Sequence, residues 1–207
     1  MPAPPQLIDG PTGASHTVIL AHGAGDGMES RFLTAVAEGL AGRGVRVIRF
    51  EFPYMARRRL GGSSRAPDRT EVLLDSWRSI IGEHGPADRL IVGGKSMGGR
   101  MASMIADQTA VRGLLCFGYP FHPPGQPERL RTAHLERLRT PALIIQGERD
   151  PFGTRDDVAR YELAATITIH WIGDGDHSLV PRKKSGLTLA MNMAEAIETA
   201  SGFIERS

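Results

Sequence analysis

Short apolar runs alternate along the chain with longer segments whose apolar side chains recur every three or four positions. Continuous apolar runs are typical of strands that are buried on both faces of a parallel sheet. Six segments are predicted to be strands, of which Thr17–Ala21 is continuously apolar and the last alternates β-branched residues with others; the six lie at Thr17–Ala21, Val45–Phe50, Arg89–Gly93, Leu114–Gly118, Pro141–Gly147 and Thr166–Ile172. The sequence therefore predicts six strands.

The segments between these runs have helical spacing. The predicted helices begin after Ser30 and after Thr70, span Met101–Gln108 and Thr154–Leu163, and end the chain with a stripe from Leu189 to Ile204. Residues 51–69 read as a long loop. Strands and helices in alternation predict an α/β fold, because right-handed crossovers place helices on both faces of a sheet. We predict a doubly wound, mostly parallel six-stranded sheet in a single domain of residues 1–207, with an extended N-terminal segment at residues 1–14.

Composition and charge indicate which kinds of molecule the protein is expected to bind. The net charge is only +2 and aromatic residues make up 6%, without the interleaving of basic and aromatic residues that single-stranded nucleic acid favours. The N-terminus lacks the pattern of a signal peptide, and no apolar run approaches 18 residues. We expect a cytoplasmic protein that binds a small molecule rather than nucleic acid or a membrane, with no metal and no cofactor. Oligomeric state leaves no signal in the sequence.

The most informative stretch is Arg89–Arg100, where an apolar run turns sharply and continues as a helix. The turn has the form Gly-x-Ser-x-Gly around Ser96, which in a strand–turn–helix context is typical of a nucleophile elbow. Gly94 and Gly98 would prevent clashes where strand and helix pass closely. The alternative is a glycine-rich turn with an incidental serine. Lys95, inside this turn, could hold a carboxylate of a helix or loop.

A serine hydroxyl needs a base, and the base needs an orienting carboxylate. Asp150 follows one predicted strand and His177 follows the last. The carboxyl ends of parallel strands share one edge of a sheet, so Ser96, Asp150 and His177 can converge there. Other candidates remain: His122 for the base, and Glu148, Asp174 or Asp176 for the acid, while Asp150 could be a turn residue before Pro151. Cys116 reads as a buried hydrophobic residue rather than a thiol nucleophile.

Two further groups of residues complete the predicted site. The backbone N–H groups of Met97 and Ala24 would form an oxyanion hole, with the glycines beside Ala24 permitting close approach. His22 reads as a structural turn residue. Gly23, Tyr54, His122 and Arg57 are tentative substrate contacts. The arginine-rich stretch at residues 52–65 could attract an anionic substrate, or it could be a solvated surface loop.

The turn around Ser96, the His22–Gly25 turn, the run Pro141–Asp150 and Gly175–His177 together resemble the α/β-hydrolase family, from about Thr17 onward. They are most similar to small, lidless members like dienelactone hydrolases, although those enzymes use cysteine as nucleophile. Gly94–Arg100 also resembles the branch represented in animals by testis-expressed protein 30. Residues 119–140, where many relatives insert a lid, are too few for a substantial cap.

The resemblance implies hydrolysis of an ester or thioester by a Ser96–His177–Asp150 triad through an acyl-enzyme. A transferase or perhydrolase side activity would use the same triad. A different class of function, a non-catalytic α/β-hydrolase-like module that binds another protein, is the alternative. A scaffold has no need of all three triad residues, which argues against that alternative.

Overall fold

The chain folds around one mixed sheet in a computed structural model that describes residues 4–62 and 66–207. In chain order, the strands are β1 (Gln6–Asp9), β2 (Thr17–Ala21), β3 (Arg46–Phe50), β4 (Leu90–Lys95), β5 (Gly113–Phe117), β6 (Ala142–Gly147) and β7 (Ile167–Ile172). The helices are α1 (Arg31–Ala41), α2 (Pro53–Arg59), α3 (Thr70–Glu83), α4 (Met97–Thr109), α5 (Arg155–Val158) and α6 (Leu189–Arg206).

The seven strands have the order β1-β3-β2-β4-β5-β6-β7, and every neighbouring pair is parallel except β1 with β3. The prediction of a mostly parallel, doubly wound sheet is confirmed, whereas the strand count of six was wrong. The additional strand is β1, which lies inside the segment predicted to be merely extended.

The first strand gives a weak signal because it is an edge strand. It has only four residues, and Ile8 remains 49% exposed. Pro4, Pro5 and Pro11 flank it, and prolines are confined to edges and ends of sheets because they lack the N–H that a ladder needs. It pairs through backbone bonds with β3 rather than through an apolar run of its own.

Two hydrophobic cores, one on each face of the sheet, hold the layers together. One core contains Trp77 of α3 and Met101 of α4, and the other contains Leu33 of α1 and Ile197 of α6. Helices therefore cover both faces of the sheet, and its parallel strands all end at the same edge. This leaves one edge of the sheet where the loops after β2, β4, β6 and β7 can meet.

The stretch after β3 differs from the long loop that the sequence predicts. Residues 53–59 form α2, which has a proline at its first position and three arginines in its last turn. Both features favour a short helix: proline has the required φ, and cations interact well with the C-terminal end of the helix dipole. Ser63, Ser64 and Arg65 of the predicted arginine-rich stretch lie outside the described residues.

The connection from β5 to β6 carries no lid. Residues 118–141 are all described, and they contain neither helix nor strand. The prediction that this segment is too short for a substantial cap is therefore confirmed. No helix within residues 4–62 or 66–207 is long and apolar enough to cross a membrane.

Candidate active site

Ser96 occupies a strained turn between β4 and α4. Its backbone has φ 51° and ψ −115°, a region that residues other than glycine seldom adopt, and its N–H donates to the Phe117 carbonyl over 3.0 Å. A Cβ on Gly94 would lie 2.1 Å from the Ala21 carbonyl oxygen, and one on Gly98 would lie 2.4 Å from the same atom. Both glycines are thus required by close backbone contacts, as the sequence predicts.

The structure brings the three residues predicted for the triad into one hydrogen-bonded chain. His177 Nε2 lies 2.9 Å from Ser96 Oγ, and His177 Nδ1 lies 2.8 Å from Asp150 Oδ2. The carboxylate can only accept, so the neutral ring carries its proton on Nδ1 and presents the Nε2 lone pair to the serine hydroxyl.

Asp150 is fully buried and held by two further donors. The Gln146 amide donates to Oδ2 over 2.9 Å, and the Phe152 N–H donates to Oδ1 over 2.9 Å. Gln146 is itself fixed, because its carbonyl oxygen accepts from the Tyr119 N–H at 2.7 Å. These bonds fix the direction in which Oδ2 faces His177.

The imidazole of His177 is also held from the side and from its own backbone. The Phe152 ring packs against it with 4.3 Å between ring centroids. Its carbonyl oxygen accepts a hydrogen bond from the buried ammonium of Lys95. The prediction that Lys95 holds a carboxylate was therefore wrong: its hydrogen-bond partner is a backbone carbonyl.

The turn after β2 lies directly beside the elbow. The Gly23 carbonyl accepts from His22 Nδ1 at 2.7 Å and from the Tyr54 hydroxyl at 3.2 Å, and that hydroxyl also reaches the Ala24 carbonyl at 3.0 Å. In a trans peptide the C=O of Gly23 and the N–H of Ala24 point in opposite directions. The Ala24 N–H therefore points away from the groups that hold the turn.

Both ring nitrogens of His22 are engaged in the structure of this turn. Nδ1 donates to Gly23, and Nε2 accepts from the Phe52 N–H at 3.0 Å. Burial is the main cause that lowers the pKa of His22, which keeps the ring neutral. A neutral histidine whose two ring nitrogens are both hydrogen-bonded agrees with the interpretation of His22 as a structural residue.

A cavity of about 270 Å³ opens beside Ser96 and His177. It is lined by Gly23, Ala24, Gly25, Asp26, Ser30, Phe32, Lys95, Ser96, Phe152, His177 and Ser178. Met97 follows Ser96 as the first residue of α4, and the first N–H groups of a helix have no partner within the helix. The cavity is therefore lined by Ser96, and the residue after it has a backbone N–H that α4 does not use.

Of the four residues predicted as tentative substrate contacts, one lines the cavity and three do not. Gly23 lines the cavity. Tyr54 is fully buried behind the turn, and His122 is 3% exposed with Nδ1 bonded to the Pro123 carbonyl at 2.8 Å. Arg57 is on the surface in an ion pair with Asp68 at 2.5 Å. None of these three side chains is among those lining the cavity.

The competing acids and the cysteine have other partners. Asp174 pairs with Arg149 at 3.1 Å and with Arg182, and the hydrogen bond from Arg182 lowers its pKa. Asp176 Oδ1 accepts the N–H of Val180 at 2.9 Å. Cys116 is fully buried, and burial raises the pKa of its thiol.

The arginines of α2 are engaged within the protein. Arg59 pairs with the buried Glu51 at 2.9 Å, and Arg58 donates to the Gly25 carbonyl at 3.0 Å. Together with the ion pair between Arg57 and Asp68, these contacts hold α2 and the turn after β2 in place. They favour a structural reading of this stretch over a freely available anion-binding surface.

Sequence reasoning missed Gln146 and Phe152, and it assigned Lys95 a different partner. Gln146 is the last residue but one of β6, four positions before Asp150, and Phe152 follows Asp150 by two positions. Nothing in their local pattern separates them from ordinary strand and loop residues. Within residues 4–62 and 66–207, no cluster of three or more His, Cys, Asp or Glu side chains could hold a metal ion.

Solved structures with the same fold include hydrolases from several bacteria. An alpha-beta serine hydrolase homologue from Coxiella burnetii is 18% identical, with TM-score 0.72 over 96% of this chain and 90% of that one. A serine hydrolase without a lid from Xanthomonas campestris is 19% identical, with TM-score 0.69 over 96% and 88%. A dienelactone hydrolase from Anabaena variabilis is 20% identical, with TM-score 0.67 over 97% and 90%. At these identities the likeness shows the fold.

The sequence itself carries the family assignment. Residues 14–205 match the family model described as an alpha/beta hydrolase domain. That range contains Ser96, Asp150 and His177 as well as the turn after β2. The finer resemblance to the testis-expressed branch stays a prediction. From this match and the fold, we conclude that the chain belongs to the alpha/beta hydrolase family.

Proposed function

We propose that the protein is a serine hydrolase that cleaves a small ester or thioester, with Ser96 as nucleophile, His177 as base and Asp150 as the orienting acid. The observation that supports this most strongly is the unbroken chain of hydrogen bonds from Ser96 Oγ through both nitrogens of His177 to Asp150. Each atom in that chain has the donor or acceptor character that nucleophilic catalysis requires.

In the first half of the reaction, Ser96 Oγ attacks the acyl carbon while His177 Nε2 removes the hydroxyl proton. The carbonyl π bond opens, and negative charge collects on the acyl oxygen. We assign the N–H groups of Met97 and Ala24 as the donors that stabilise this charge. Collapse of the intermediate breaks the bond to the alcohol or thiol, which takes the proton from His177 and leaves an acyl-Ser96 ester.

In the second half, water takes the place of the departing group. His177 Nε2 removes a proton from water as its oxygen attacks the acyl carbon. The intermediate collapses with release of the carboxylic acid, and the proton returns to Ser96 Oγ. Asp150 stays ionised throughout and stabilises the imidazolium that forms in each half.

The cavity and its surroundings support a small substrate. Its volume of about 270 Å³ lies below the range typical of sites for drug-sized ligands. The segment from β5 to β6 provides no cap, so a short acyl or alcohol part would lie in the cavity and the rest would extend into solvent. We retain Gly23 as a substrate contact and reassign Tyr54 as a positioning residue behind the turn.

A fluorophosphonate probe tests the proposal, because the nucleophile displaces fluoride from phosphorus and remains phosphonylated. The wild-type protein is expected to be labelled at Ser96, and Ser96→Ala is expected to lose the label. His177→Ala should label roughly 10²–10⁴-fold more slowly, since it removes general-base assistance. Mass spectrometry of the digested protein locates the adduct.

Ser79→Ala provides the matched control, because Ser79 is a partly buried serine of α3 that does not line the cavity. It should label at the wild-type rate. If the folded wild-type protein resisted several such probes, the proposal would be rejected in favour of a non-catalytic, protein-binding member of the family. An adduct on another residue would reject the assignment of Ser96.

A further inference from the structure

Lys95 is a buried cation directly before the proposed nucleophile. It is only 9% exposed, and its Nζ donates to the backbone carbonyl of His177. The Phe32 ring lies 5.5 Å from Nζ on the cavity side. Burying an ammonium is unfavourable unless it is paired. Within the described residues, its hydrogen-bond partner is a carbonyl rather than a carboxylate, so the charge strengthens a hydrogen bond to the backbone instead of forming an ion pair.

The surrounding backbone is shaped around this contact. Gly118, directly after β5, has φ +63°, and a Cβ there would lie 2.8 Å from Lys95 Nζ and 2.9 Å from the His177 carbonyl oxygen. A Cβ on Gly23 would lie 3.8 Å from Lys95 Cγ. The lysine therefore connects the elbow to the loop that carries His177, and it passes beside the turn after β2.

The charges that face Lys95 come from three elements. Asp150 follows β6, Asp176 precedes His177 after β7, and Asp26 lines the same cavity from the turn after β2. Burial lowers the pKa of Lys95 to about 8, although attraction to Asp150 and Asp176 opposes that shift. The ammonium can therefore lose its proton under mildly alkaline conditions.

We propose that Lys95 is a positioning residue whose ammonium fixes the backbone of His177, and through it the aim of Nε2 at Ser96 Oγ, and that this hold weakens when the ammonium is deprotonated. This inference rests on the proposed function. His177 is then anchored at two points, by Asp150 at Nδ1 and by Lys95 at its carbonyl. A charge-assisted hydrogen bond is roughly twice as strong as a neutral one, so a neutral amine holds the loop less well.

Kinetics of Lys95→Met against Lys184→Met, followed from pH 6 to pH 10 with a neutral ester, test the proposal. Lys184 is an exposed lysine remote from the cavity lining. Wild type and Lys184→Met should lose activity on the alkaline side with a midpoint near pH 8. Lys95→Met should have kcat lowered about 10–100-fold at pH 7, equivalent to loss of one charge-assisted hydrogen bond, with KM nearly unchanged and no such midpoint.

Lys95→Arg keeps a permanent positive charge and serves as the conservative variant. It should recover part of the lost kcat and show a flat rate from pH 8 to pH 10, because arginine does not deprotonate in that range. A midpoint near pH 8 that persisted in Lys95→Met or Lys95→Arg would overturn the proposal. So would an unchanged kcat in a folded Lys95→Met protein.

The free energy of unfolding, measured as a function of pH, provides a second readout. A lysine with a purely structural role would not link its pH dependence to that of the activity. The folded-state pKa of Lys95 is lowered to about 8, below its ordinary value of 10.5, so between these values the unfolded chain binds more protons than the folded one. Stability relative to Lys95→Met must therefore rise with pH across that window. Activity is expected to fall with its midpoint at the lower end of that window, near pH 8, and a stability difference that stayed flat would contradict the assignment.

Nitrogen-15 NMR of the His177 imidazole separates failure of this inference from failure of the proposed function. The ring signals should shift with the same midpoint near pH 8 in wild type and not in Lys95→Met, whether or not any ester is hydrolysed. Absence of labelling by fluorophosphonates would reject the hydrolase. Ring signals that show no such midpoint in an active wild-type enzyme would reject the role of Lys95 alone.

Discussion

Two glycine-rich turns at the ends of neighbouring strands flank the cavity, and they are held in different ways. The elbow around Ser96 is fixed by close backbone packing, since Gly94 and Gly98 lie against the carbonyls of Ala21 and His22. The turn after β2 is fixed by side chains about thirty positions away: Tyr54 and Arg58 of α2 donate to its carbonyls.

Because the two turns are held differently, they are expected to respond differently to substitution. A backbone contact leaves no room for an added atom, so changes at the elbow are expected to damage the fold and the reaction together. A turn held by side chains can lose one contact and stay folded. Its substitutions should change the placement of the Ala24 N–H, and hence the rate, more than the stability.

The largest effect is expected for Gly98→Ala. The new Cβ would lie 2.4 Å from the Ala21 oxygen and 2.6 Å from the His22 oxygen, both backbone atoms, so strand and helix would have to separate. We expect a loss of at least about 2 kcal/mol in the free energy of unfolding, together with loss of labelling at Ser96. Chemical denaturation measures the first quantity.

Gly82→Ala is the control for this change, because a Cβ at Gly82 in α3 meets nothing within 4 Å. It should stabilise the protein by up to about 1 kcal/mol through helix propensity. Equal unfolding free energies for the two variants would show that the elbow tolerates a side chain, and the comparison drawn above would then fail.

An intermediate effect is expected for Tyr54→Phe, which removes the hydroxyl shared between the Gly23 and Ala24 carbonyls. We expect kcat to fall about tenfold, the equivalent of one hydrogen bond, while KM changes little. Tyr161→Phe makes the same chemical change at a buried hydroxyl that has no hydrogen-bond partner among the described residues. A loss of kcat as large in that variant would remove the special role of Tyr54.

The smallest effect is expected for Arg58→Ala, because this exposed side chain provides one hydrogen bond to Gly25. We expect a loss of about two- to fivefold in kcat/KM that is the same for neutral and anionic esters. Arg57→Ala should be silent, since its partner is Asp68. If both variants instead lost activity only toward anionic esters, and only at low salt, the arginines would be steering substrate.

The sequence predicts the elbow well because its signal is local. The apolar run before Ser96, the glycines on either side and the helix after it all lie between Leu90 and Gln108. Asp150 and His177 could also be proposed, since each follows a strand and parallel strands end at one edge of the sheet. The fold class follows from the same alternation of strands and helices.

The supports of the site could not be read from the sequence because they are non-local. Tyr54 is a plausible pocket residue by its position after β3, yet it lies behind the turn that it holds. Lys95 finds a carbonyl in a loop 82 positions away. The edge strand β1 has too few apolar residues to form a recognisable pattern. Its position is fixed by backbone pairing with β3, which the local sequence does not show.

The most direct test of the central claim is a rapid-mixing experiment with p-nitrophenyl acetate, quenched with acid and followed by peptide mapping. Turnover through an acyl-enzyme predicts a burst of p-nitrophenol close to one equivalent wherever deacylation is the slower step, and an acetyl group on the peptide that contains Ser96. The acetyl group should be absent in Ser96→Ala. Steady hydrolysis that survives in Ser96→Ala, or an acetyl group found on another residue, would contradict the account.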